Sequence, residues 1–221
     1  MFFSVGLIHP ATRVVPLLAG VAHEVMADVQ IIHVVDEGIP LLLDEAGGIT
    51  EPVIRRVCSY AINAQEAGAD AVMLASPLIG PALDAVRSAV RVPAIRIDAA
   101  MIDTAVQFGT TVGVLATHDL TLDPTLALLR ERADAARKDI QFETRLCEDA
   151  ALALEAADYE AFDRIVLGEI PLLAGNDVII LADVLMHRIV HTAAERVSVP
   201  VLASPRHGFE DLARIMNYFR R

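Results

Sequence analysis

Short apolar runs alternate along the chain with longer stretches in which apolar residues return every three or four positions. The runs rich in Val, Ile and Leu predict strands at 3–8, 30–35, 70–75, 94–97, 111–116, 141–146, 177–182 and 200–203. Their continuity, rather than strict alternation, fits strands buried on both faces of a parallel sheet. Helical periodicity predicts helices at 13–27, 51–66, 80–90, 98–107, 123–137, 148–157, 159–173, 184–196 and 208–219. Strand and helix in regular alternation define an α/β protein. Gly47-Gly48 and Gly68 punctuate the pattern on either side of the second predicted helix.

The pattern repeats at one offset. Val5-Gly6-Leu7-Ile8 returns as Val112-Gly113-Val114-Leu115, Ala67-Gly68-Ala69-Asp70 as Ala174-Gly175-Asn176-Asp177, and Val92-Pro93 as Val199-Pro200, each 107 residues on. One offset without net insertion implies two homologous halves related by a pseudo-two-fold. The expected lobes are 1–97 with 206–221, and 98–205. The same offset pairs Ser76 with Asp183, each just past an apolar strand.

Composition narrows the chemistry. A hydrophobic fraction of 54% over 221 residues supplies a packed core and argues against disorder. A net charge of −12 with no basic cluster speaks against nucleic acid and against an anionic membrane surface as partners. No apolar run is long enough to span a bilayer, and the apolar start lacks the charged segment of a signal peptide. Two cysteines, Cys58 and Cys147, form neither a disulfide framework nor a metal spacing, so the expected compartment is the cytoplasm. Lys138, in a polar stretch, is the only lysine, which leaves no residue for a pyridoxal Schiff base or a phosphate-binding loop. No Gly-x-Gly-x-x-Gly follows a strand, so a dinucleotide cofactor is not expected.

In open parallel sheets ligands bind beyond the carboxyl ends of the strands. Those ends carry His9, Asp36-Glu37, Ser76, Asp98, Thr117-His118, Asp183 and Ser204. Ser76 and Asp183 suit helix N-caps, and Pro77 suits a first helical position. The free N–H groups of such helix starts favour a small carboxylate or phosphate. Thr117 and Thr121 frame one turn and have hydroxyls to donate, while His9 and His118 follow corresponding strands. Asp183, His187 and His191 recur at i, i+4, i+8, which on an α-helix is one face; no other ligand cluster accompanies them, and no metal is expected.

Several blocks in order resemble the aspartate/glutamate racemase superfamily, with its hydantoin racemase, maleate isomerase and arylmalonate decarboxylase relatives. They are Ile32-His33-Val34-Val35-Asp36-Glu37-Gly38, Ala67-Gly68-Ala69-Asp70, Arg96-Ile97-Asp98-Ala99-Ala100-Met101, Val112 to Thr117, Asp177 to Ala182 with Met186, and Pro200 to Pro205. The resemblance implies two Rossmann-like lobes with parallel sheets, an active-site cleft between them and no cofactor. It also implies two cysteines, one per lobe, that exchange a proton with substrate carbon. Here Ser76 and Asp183 stand at those two positions. A serine hydroxyl alone is a poor base near neutral pH, whereas a carboxyl raised by burial is a competent one. The expected function is therefore a cofactor-independent racemase or isomerase acting on a small carboxylate, with Ser76 and Asp183 catalytic and His9, Pro77, Thr117, His118, Thr121 and Val184 binding substrate. A homo-oligomer is expected. A decarboxylase with one protonating residue, and a carboxylate-binding protein without activity, are the alternatives.

Overall fold

The structure is a computed structural model that describes residues 3–219. It divides into two compact units, one taking in the chain up to Ile97 and again from Pro205 onward, the other Asp98–Ser204.

The first unit contains β1 (Phe3–His9), a 3₁₀ turn (Thr12–Val14), α1 (Val15–Val25), β2 (Val29–Val35), α2 (Gly38–Ala46), α3 (Glu51–Glu66), β3 (Ala71–Leu74), a 3₁₀ turn (Pro77–Ala82), α4 (Leu83–Ala89) and β4 (Ala94–Arg96). The second contains α5 (Ala99–Phe108), β5 (Thr111–Ala116), α6 (Asp119–Ala135), β6 (Gln141–Leu146), α7 (Glu148–Glu155), α8 (Tyr159–Glu169), a 3₁₀ turn (Ile170–Leu173), β7 (Val178–Leu181), a 3₁₀ turn (Val184–Ile189), α9 (Val190–Ala194) and β8 (Val201–Ala203). α10 (Ser204–Phe219) follows. Each unit has one four-stranded sheet, ordered β2-β1-β3-β4 in the first and β6-β5-β7-β8 in the second, and every pairing is parallel. The α/β class expected from the alternating pattern is the one observed.

The repeat extends to individual hydrogen bonds. The Asp70 carboxylate accepts the Ser4 N–H at 3.0 Å, and the Asp177 carboxylate accepts the Thr111 N–H at 2.9 Å. Val72 donates to the Pro93 carbonyl and Ile179 to that of Pro200; Ala75 donates to Ile8 and Ala182 to Leu115. The two 3₁₀ turns that follow β3 and β7 also correspond residue for residue. Inside each unit the central strands are wholly buried, Ala71–Leu74 in one and Val178–Leu181 in the other. Helices on the sheet faces press close: a Cβ on Gly6 would lie 2.6 Å from the Ala64 Cβ of α3, so only glycine lets α3 approach β1 there.

Several helix expectations need correction: the helix expected at 208–219 begins at Ser204, and that expected at 159–173 is α only as far as Glu169 and 3₁₀ beyond it. Residues 38–46 form a helix that the pattern did not predict, because Pro40 and a run of three leucines mask its periodicity; Gly47, at φ 69°, ends it in the left-handed region. The helix expected at 80–90 begins as 3₁₀ at Pro77, with Pro81 inside it. The helix expected at 123–137 begins at Asp119. The helix expected at 184–196 is 3₁₀ over Val184–Ile189 and α only over Val190–Ala194. At three residues per turn, Asp183, His187 and His191 do not share the face that an α-helix would give them. Val184, Leu185, Met186 and Ile189 are all buried, so this segment has no single apolar stripe to hold it as an α-helix.

Candidate functional site

In the second unit the strand ends gather around Asp183. It follows β7 directly, and its side chain makes no hydrogen bond to the turn that it precedes. Instead its Oδ2 accepts the backbone N–H of Thr117, at the end of neighbouring β5, at 2.7 Å. Burial pushes the carboxyl up, and the Thr117 N–H, the hydroxyls of Thr117 and Thr121 and the nearby His118 pull it down. The upward effect wins, so the group favours its protonated form more than a solvated aspartate does. Thr117 is 6% exposed and Thr121 3% exposed, so both hydroxyls act from within the fold. His118 is exposed and caps α6, its Nδ1 accepting the Leu120 N–H at 3.1 Å. Val184 is buried beside Asp183.

Cys147 stands at the end of β6, where its N–H donates to the Ala116 carbonyl at 2.8 Å. Burial, and then the Glu169 carboxylate, push its thiol up to about 12, with Arg145 opposing and Asp183 adding to the rise. Such a thiol is not a thiolate near neutral pH. Cys58, on α3, is also pushed up, by burial and Glu51. Neither cysteine replaces a thiolate pair.

In the first unit Ser76 is buried and does cap its turn: its Oγ accepts the Leu78 N–H at 3.3 Å. Pro77 opens that turn and is buried. The turn lies against a buried arginine, since a Cβ on Gly80 would come within 2.5 Å of the Arg96 Cζ. His9, at the end of β1, is fully buried, with its Nε2 2.9 Å from the Nδ1 of His33. Burial, and then His33, push the His9 imidazole down to about 3. Asp36, at the end of β2, is committed to structure: its carboxylate accepts from Arg56, Tyr60 and the Gly38 N–H. Glu37 likewise accepts the Thr12 N–H.

Thr117, His118, Thr121, Asp183 and Val184 thus belong to one strand-end group in the second unit, and His9, Ser76 and Pro77 to one in the first. Sequence reasoning missed His33, Arg96 and Cys147 as members of these groups. His33 was visible as a histidine inside a predicted strand, but its link to His9 depends on the pairing of β1 with β2. Among the described residues no group of three or more His, Cys, Asp and Glu side chains is placed to hold a metal ion.

Two homologous parallel sheets, each with polar groups at the carboxyl ends of its strands, define a duplicated α/β protein. The Asp/Glu/Hydantoin racemase family profile matches residues 18–212, and the chain belongs to that family. Allantoin racemase from Klebsiella pneumoniae is similar in structure, with a TM-score of 0.70 at 17% identity, covering 98% of this chain and 89% of that one. Glutamate racemase isoform RacE1 from Bacillus anthracis gives 0.72 at 14%, covering 98% and 82%. Arylmalonate decarboxylase gives 0.60 at 17%, covering 96% and 91%. At these identities the likeness shows the fold. No match is found among the curated proteins.

Proposed function

We propose that the protein is a cofactor-independent enzyme of the racemase and isomerase type that moves a proton to or from carbon in a small carboxylate. The supporting observation is Asp183: a carboxyl at a strand end, raised by burial and held by the Thr117 N–H rather than spent as a helix cap. A base for a carbon acid needs a pKa nearer the working pH than a solvated aspartate has, and burial supplies that shift. In this reading Asp183 is the acid/base residue, and Thr117 and Thr121 orient it. His118 and Val184 complete the substrate contacts of this reading in the second unit, and His9, Ser76 and Pro77 are its contacts in the first. Two free cysteines without a metal or disulfide pattern suit a cytoplasmic protein. No helix among the described residues is long and apolar enough to cross a membrane.

A second reading, decarboxylation followed by protonation at one face, is favoured by one observation. Ser76 already accepts the Leu78 N–H, so Asp183 is the stronger proton-exchanging candidate of the pair. A single protonating group suffices for that outcome.

The test is hydrogen exchange at the α-carbon of small mono- and dicarboxylates in deuterated water, followed by NMR for the parent and for Asp183→Asn. The variant keeps volume and the Thr117 contact but cannot carry the proton. Exchange catalysed by the parent and lost in the variant is expected. Exchange that persists in the variant removes Asp183 from the mechanism, and a parent inert toward every acid overturns the proposed activity.

A further inference from the structure

His9 and His33 form a pair that the proposed acid/base chemistry does not use. Leu7 pairs with His33 and His9 with Val35 across β1 and β2, and side chains two apart on a strand share a face, so both rings stand on one side of the sheet. Their centroids are 5.0 Å apart with planes tilted by 32°. The contact is therefore a hydrogen bond, Nε2 to Nδ1 at 2.9 Å, and not a stack. His9 is fully buried, and its other ring nitrogen, Nδ1, has no partner among the described residues. A buried polar atom left in this state is costly and calls for an occupant. His9 ends β1, and Ser76 lies two residues beyond the Leu74 that pairs with Ile8, so the orphan nitrogen belongs to the strand end that carries Ser76.

We propose that His33 is a positioning residue: its Nδ1–H donates to His9 Nε2, so that His9, as a neutral imidazole, presents Nδ1–H to a carboxylate oxygen of the substrate. The inference rests on the reading of the ligand as a small carboxylate. One proton lies between the two facing nitrogens. If His33 provides it, a neutral His9 must carry its own proton on Nδ1 and is a donor there. If His9 provides it, Nδ1 is a bare lone pair and repels a carboxylate. Burial and the second imidazole both act against a positive His9, so the donor is a neutral one. His33 is only half-buried, which leaves it able to settle its own proton with solvent.

The test uses the full chain, malonate as the binding probe, and two substitutions. His33→Phe keeps a ring and removes the donor, whereas the side-chain amide of His33→Asn places an N–H where Nδ1–H stood. Malonate affinity is expected to fall about tenfold in His33→Phe, the effect of one hydrogen bond, and to be rescued to within about twofold in His33→Asn. Histidine 15N NMR reads the tautomer directly: His9 protonated on Nδ1 in the parent and in His33→Asn, and shifted toward Nε2 in His33→Phe. A parent His9 protonated on Nε2, or a His33→Phe variant that binds malonate as the parent does, overturns the proposal. Absent malonate binding with Asp183-dependent exchange intact overturns this role alone. Loss of both overturns the functional reading as well.

Discussion

Replacing His9 by Gln should reverse the order of stability between parent and variant as the solution is acidified. The glutamine amide reaches the position of Nε2, so the contact with His33 survives while the titration is removed. In the parent, burial and then His33 push the His9 imidazole from 6.5 to about 3. The folded value lies below the unfolded one, so the unfolded chain takes up the proton first. Stability is complete above about 6.5 and is lost as pH falls toward about 3. At about 1.4 kcal/mol per pH unit, the whole interval amounts to on the order of 5 kcal/mol, of which about 2 kcal/mol is gone by about pH 5. The substitution itself should cost about 1–2 kcal/mol at neutral pH through imperfect packing. The curves therefore cross near pH 5, with the variant the more stable below it. Urea unfolding of both proteins from pH 7 to pH 4, analysed by linear extrapolation, measures the difference directly. All other titrating groups are common to the two proteins, so a difference that stays constant across this range would refute a buried, neutral His9.

Other outcomes follow from the same geometry. Asp183→Asn should gain on the parent as pH rises: the parent carboxyl is raised in the fold, so the stability it provides is present at low pH and lost as pH climbs through its folded value. Equal pH dependence in chemical unfolding would contradict this. Gly6→Ala should destabilise by about 1–3 kcal/mol, because the new methyl would meet Ala64 Cβ at 2.6 Å and neither group can swing away; a thermal midpoint equal to that of the parent would count against the packing argument. Cys147, with its thiol pushed up to about 12 and its side chain buried, should react with a disulfide reagent at neutral pH far more slowly than Cys58, as mass spectrometry after timed labelling would show.

The strands were legible because a parallel strand buried on both faces writes an unbroken apolar run, and all eight appear within a residue or two of the expected places. The short helices were less so. Over six residues, apolar side chains at i+3 and at i+4 are hard to tell apart, and both Pro77–Ala82 and Val184–Ile189 took the 3₁₀ form. Ser76 and Asp183 could be found from the 107-residue offset, but what each side chain does could not. Their local contexts look alike, yet Ser76 caps its own turn and Asp183 reaches a donor in β5's following residue, far away in sequence. The His9–His33 bond was hidden for the same reason, since it needs the strand register.

The offset itself explains the difference between the two strand ends. Thr117, whose N–H holds Asp183, corresponds to Pro10, which has no N–H to give. Thr121, whose hydroxyl also supports Asp183, corresponds to Val14. The duplicated backbone is thus kept while the residues beside the two positions differ, and only at Asp183 do a backbone N–H and a hydroxyl from these two places meet a carboxylate. Ser76→Asp tests this. The new side chain can still cap Leu78, but it enters a buried position that Pro10 and Val14 leave without the donors that Asp183 has. Its charged form should cost about 1–3 kcal/mol at pH 8. The desolvated carboxyl should titrate upward, so stability lost at pH 8 should return as pH falls toward 5. Unfolding in urea at the two pH values gives the comparison with the parent, and a Ser76→Asp protein as stable as the parent at pH 8 would show that the first unit can hold a carboxylate without those donors.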